Sequence, residues 1–200
     1  SDLMILDTVP VDALLREVLG ELPRPAGEVV TRAFELARRY HTRARPAPER
    51  RDEGVPPLDH PARVMYSLFK EVGVREADIL AAALLHDVLE IAPDPRLARE
   101  EIERACGPAV AGWVDVLTRR PGVSREAYAQ LIKDAPYPAF LVEMAARLDN
   151  LRNAHRRRKN LQPYFNETRR YYLTFAERRA ARHPELAVYV QAMRMAMEGE

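Results

Sequence analysis

Residues 76–90 read EADILAAALLHDVLE, and this stretch decides the fold. No polar side chain interrupts it from Ile79 to Leu85, and Ala and Leu, both strong helix formers, fill most of its positions. A helix that is apolar on nearly every side has no face to give to water, so it belongs in the middle of a bundle. The flanking segments also carry helical periodicity, while strand-like alternation is scarce. Upstream, Val11–Leu22 reads as a short amphipathic helix closed by Pro23 and Pro25, and Glu28–Thr42 sets Val29, Ala33, Leu36, Ala37 and Tyr40 on one face. Asp59 is placed as an N-cap, with Pro61 just inside a helix that carries Val64, Leu68 and Phe69 and ends at Gly73. Downstream come helices at Leu97–Cys106, Pro108–Arg119, Arg125–Asp134, Pro138–Arg158 and Pro163–Arg182, then a last segment at Pro184–Met197. Pro46–Pro57 (PAPERRDEGVPP) interrupts the pattern as a loop, long enough in a compact domain to be either mobile or functional. The expected architecture is all-α. It is one single-domain helical bundle over 1–200, with its core at 29–182, an N-terminal helix at 11–22 and a C-terminal helix at 184–197.

Composition narrows the function. Lys+Arg 31 against Asp+Glu 30 leaves a formal charge of +1, and basic and aromatic residues do not interleave, so nucleic acid is not an expected partner. No uncharged apolar run approaches the ~20 residues that span a bilayer, so no membrane association is expected. The start, Ser1 to Pro10, lacks a basic stretch followed by an apolar one, and a cytoplasmic location is expected. Cys106 is the only cysteine, which excludes an intrachain disulfide framework and a Cys-based zinc cluster. A homo-oligomer stays open.

Chemistry enters at His86-Asp87. Two ionisable residues on an otherwise apolar helix cost several kcal/mol unless they are paired or bind a metal. Glu90 lies one turn further on, at i+4 from His86 and i+3 from Asp87, hence on the same patch. Alone, such a dipeptide is more often a helix-terminal pair that emerges into solvent. Its company is more specific: DHPARV (59–64), ALLHDVLE (83–90), EEIERACGPAVAGWVDVLT (100–118) and MAARLDNLRN (144–153) follow in that order.

This ordered set resembles the HD-domain phosphohydrolases, specifically the hydrolase half of the RelA/SpoT alarmone enzymes and the small alarmone hydrolases of the Mesh1 type, over about Val29 to Arg182. The resemblance implies a helical bundle of the HD-domain type that holds one Mn²⁺ ion and cleaves the 3′-pyrophosphate from (p)ppGpp, a small-molecule nucleotide. It makes His60, His86 and Asp87 metal ligands, and Glu90 the acid that positions or deprotonates the attacking water. A divalent ion suits this chemistry because it lowers the pKa of bound water and screens charge building on phosphoryl oxygens. Two imidazoles with a carboxylate also suit Fe²⁺ or Zn²⁺.

Two positions depart from the family pattern. Ile91 stands where the second acid of HDxxED belongs, and Ala146 stands where a late helix supplies an aspartate ligand. Asp149, at i+3 from Ala146, is either a replacement ligand or a surface or substrate-facing acid. In the loop, Arg51 is the candidate phosphate contact by its bidentate guanidinium, with a solvated charge as the alternative. His41 reads as structural. Asn150 and Asn153 share the face of Ala146 and are candidates to hydrogen-bond a ribose or base. Arg156, Arg157, Arg158 and Lys159 either raise the local potential for an anionic nucleotide or form a solvated helix end. Ile91 favours a second reading, a nucleotidase or pyrophosphatase acting on other nucleotides. A third is a non-catalytic nucleotide-binding or partner-binding module.

Overall fold

A computed structural model describes residues 9–43, 57–154 and 160–198, and it is all helical, with no strand among the described residues. Residues 44–56 and 155–159 lie outside them, and with them Arg51, nearly all of the Pro46–Pro57 loop and the Arg156–Lys159 run. The helices are α1 (Val11–Leu19), α2 (Arg24–Arg43), α3 (Asp59–Glu71), α4 (Ala77–Leu85), α5 (Val88–Ile91), α6 (Pro95–Cys106), α7 (Pro108–Val116), α8 (Arg125–Lys133) and α9 (Tyr137–Arg152). They are followed by α10 (Gln162–Glu167), a π-helical stretch Thr168–Leu173, α11 (Thr174–Arg179) and α12 (Leu186–Glu198).

The bundle is built around α4. Leu80 through Leu85 are fully buried, with α2, α3, α7 and α9 packed around them. Three consecutive alanines, Ala81–Ala83, keep the helix thin enough for neighbours on several sides to approach. The second inner helix is α9, where Ala139–Val142 and Met144–Asp149 are buried. It packs on α3, α4 and α12, which puts the MAARLDN segment beside the end of α4.

Several boundaries differ from the sequence expectation, each for a local reason. The expected single helix over 76–90 ends at Leu85, turns through His86 and Asp87, and resumes as the short α5. The His86 Nδ1 donates to the Ala83 carbonyl at 2.6 Å, the acceptor that the Asp87 N–H would use if the α-helix continued. Leu58, not Asp59, takes the N-cap position of α3, and no side chain caps that end. Helix α2 starts at Arg24, so Pro25 lies in its first turn, where a missing N–H costs nothing. The run expected over Pro163–Arg182 is helical to Arg179 and widens to π geometry at Thr168–Leu173. There the Arg147 guanidinium from α9 donates to Thr168 Oγ1 at 3.0 Å and to Glu167 at 2.8 Å, and lies 3.7 Å from the centre of the Tyr172 ring.

Truncating the central helix tests this arrangement. Leu84→Ala removes a fully buried side chain and is expected to lower the unfolding free energy by about 2–5 kcal/mol, read from a urea denaturation curve.

Candidate metal centre

Three side chains converge where α4 breaks. His60 reaches in from the first turn of α3, His86 leaves the C-terminal end of α4, and Asp87 follows in the turn before α5. Each offers one ligand atom, and these atoms lie within 4.8 Å of one another. The two Nε2 atoms are 3.2 Å apart, Asp87 Oδ1 is 3.3 Å from His86 Nε2, and Asp87 Oδ2 is 3.8 Å from His60 Nε2. The break in the helix lets neighbours 86 and 87, which a continuous α-helix would splay by about 100°, address one point.

Hydrogen bonds on the far side of each ring fix the tautomers. His86 Nδ1 faces the Ala83 carbonyl, which can only accept, so that nitrogen carries the proton. His60 Nδ1 donates to Asp149 Oδ2 at 2.7 Å. Both Nε2 atoms therefore face the same space 3.2 Å apart, where a shared proton or a cation can lie between them. The pull for positive charge is evident in His60. Burial disfavours its imidazolium, but the bond to Asp149 and the charges of Asp87 and Asp149 outweigh burial and hold its pKa above the usual histidine value. Two neutral imidazoles and a carboxylate are a donor set that fits a divalent cation and leaves positions open for water and substrate.

Asp149 stands behind this cluster. Its carboxylate accepts from His60 and also takes Arg63 Nε at 2.9 Å and Nη2 at 3.1 Å. Burial alone would raise its pKa, but His60 and Arg63 hold it below the usual aspartate value. A carboxylate engaged in this way orients a ligand, whereas a replacement ligand would have to face the two Nε2 atoms. Asn153 Nδ2 donates to the Asp149 carbonyl at 2.8 Å and lies 3.4 Å from its carboxylate. Asn150 Nδ2 donates to the Tyr164 hydroxyl at 3.3 Å. Glu90 sits at the exposed rim, where its Oε1 accepts the Arg119 backbone N–H at 3.1 Å. His41 is buried on α2, and Ala146 is buried on α9.

Arg63 escaped the sequence reading, although a signal existed: it lies at i+3 from His60, and a carboxylate was already suspected nearby.

A family model described as "HD domain" matches residues 33–181. The chain is 31% identical over 135 residues to guanosine-3′,5′-bis(diphosphate) 3′-pyrophosphohydrolase MESH1 of Mus musculus, an alignment covering 66% of this chain and 72% of that one. It is 34% identical over 108 residues to the protein of the same name from Danio rerio, covering 52% and 58%. A solved structure described as a metazoan ortholog of SpoT that hydrolyzes ppGpp matches with a TM-score of 0.59 at 22% identity, covering 86% of this chain and 94% of that one. At that identity the likeness speaks for the fold.

Removing the carboxylate shared by His60 and Arg63 tests the geometry. Asp149→Ala is expected to destabilise the chain by about 3 kcal/mol near neutral pH, measured by urea denaturation. Because the folded pKa is lowered, this contribution is fully present above the ordinary 3.8. It declines as the pH falls from there and is lost below the folded value, so the parent and Asp149→Ala curves converge in acid.

Proposed function

The chain belongs to the HD domain family, and from there we propose that it is a divalent-metal-dependent hydrolase that removes the 3′-pyrophosphate from (p)ppGpp, releasing pyrophosphate and GDP or GTP. The observation that carries this reading is the convergence of His60, His86 and Asp87 on one point in a chain whose relatives bear the name of that activity. In this proposal His60, His86 and Asp87 hold the cation, with Mn²⁺ as the ion. When bound, such a cation supplies positive charge against the phosphoryl oxygens and makes water at the site more acidic.

The other residues take roles that follow from where they stand. Asp149 and the Ala83 carbonyl keep each imidazole presenting Nε2. Glu90, held at the rim by the Arg119 N–H, orients the attacking water and accepts its proton. Arg51, outside the described residues, grips a substrate phosphate. Asn150 addresses the ribose or base from the α9 side, and Asn153 acts by bracing Asp149.

The test is turnover of (p)ppGpp with Mn²⁺ added, pyrophosphate and orthophosphate being measured separately. Pyrophosphate release that is abolished by chelation supports the proposal, and release of orthophosphate alone, or none at all, overturns it. Glu90→Gln is expected to lower kcat about a hundredfold while leaving bound Mn²⁺ unchanged. His86→Ala is expected to lose both metal and turnover, and metal content equal to the parent's would make the His-Asp pair structural.

A further inference from the structure

The turn that joins α7 to α8 supplies the backbone N–H that meets Glu90. Leu117 is the C-cap of α7, and Ser124 caps the start of α8. The Arg119 N–H lies between them and donates to Glu90 Oε1 at 3.1 Å. Carbonyls at the end of a helix have no partner within it. For the buried Leu117 the donor comes from α8, whose Tyr128 hydroxyl lies 3.0 Å from the Leu117 carbonyl. The same hydroxyl lies 3.0 Å from Glu143 Oε2 on the inner helix α9. Burial, with the charge of Glu143, pushes the Tyr128 pKa far above the ordinary tyrosine value, so the hydroxyl keeps a proton to donate.

Glu90 is exposed, and an exposed glutamate has several rotamers open to it. A bond from a backbone N–H selects among them only if the turn that carries the N–H is itself held. Two bonds close within α7 and its turn: Thr118 Oγ1 donates to the Val114 carbonyl at 2.8 Å, and Arg119 Nη1 donates to the Val123 carbonyl at 3.0 Å. The Tyr128 bond is different, because it ties the turn to the interior of the bundle. We propose that Tyr128 is a positioning residue for Glu90: its hydroxyl, seated against Glu143 of α9, holds the Leu117 carbonyl and so fixes the turn whose Arg119 N–H aims the Glu90 carboxylate. The line runs from the inner helix to the rim of the centre, and each link is a hydrogen bond of 3.0 or 3.1 Å. This inference rests on the role in hydrolysis given to Glu90 above.

The experiment compares the full chain with Tyr128→Phe, which removes one oxygen and keeps the ring. With Mn²⁺ and (p)ppGpp, kcat is expected to fall about tenfold, the effect of one lost hydrogen bond, while KM and bound Mn²⁺ stay at the parent's values. In a Glu90→Gln background the same change is expected to alter kcat less than about twofold, because a residue that acts through Glu90 then has no base left to position. An equal loss in both backgrounds, or a raised KM with kcat unchanged, overturns the proposal. The Arg119 amide resonance, followed without substrate in a proton–nitrogen correlation spectrum, reports the bond to Glu90 directly. In Tyr128→Phe it is expected to move toward its position in Glu90→Ala, and an unmoved resonance overturns the proposal whatever the turnover. If the parent itself releases no pyrophosphate, the hydrolase reading fails, and the resonance still decides whether Tyr128 holds Glu90 in place.

Discussion

Asp149 accepts two hydrogen bonds from Arg63 and one from His60, so one carboxylate on α9 fixes both the ring that faces the site and the approach of α3 to α9. The rest of the centre depends on that contact. Without it His60 has no anchor for Nδ1, its tautomer is free, and Nε2 no longer meets the Nε2 of His86. The carboxylate is buried, which makes the contact directional as well as strong: in a low dielectric each misplaced donor is expensive. Asn153 adds a brace from the same helix.

The same logic recurs along α9. Arg147 is stacked between the rings of Tyr164 and Tyr172 and bonded to Glu167 and Thr168, and Arg152 pairs through both guanidinium Nη nitrogens with Glu71 on α3. These arginines tie α9 to α3 and to the π-helical stretch, and their charges are spent on partners away from the metal cluster. The wide turn at Thr168–Leu173 is where the chain makes room for the Arg147 guanidinium, a local departure of the sort that often accompanies an inserted side chain. Apolar packing of α4 provides the stability against which this polar layer is held.

Two short sequence features decide the site locally. The His86 ring takes the Ala83 carbonyl and breaks the central helix, and the break turns two neighbouring side chains toward one point. Pro61 sits in the first turn of α3, where a residue without an N–H is tolerated, and His60 therefore enters from a helix start. A helix interior would have held either side chain at a fixed angle to its neighbour.

Much was legible beforehand. The apolar run Ile79–Leu85 identified the central helix, and the ordered DHP, HD and RLDN segments identified the family, because periodicity and fixed spacing are properties of the chain itself. His60, His86 and Asp87 were named together on that basis, and their ligand atoms lie within 4.8 Å of one another. The role of Asp149 was not legible. Its position at i+3 from Ala146 was equally consistent with ligation and with support, and only the placement of Arg63 and His60 against it showed which atoms its oxygens meet. Local sequence determined helix, turn and residue type, since those follow from propensity and pattern within a few residues. The direction in which each carboxylate points was decided by which helix packs beside it, and that is set by burial across the whole bundle.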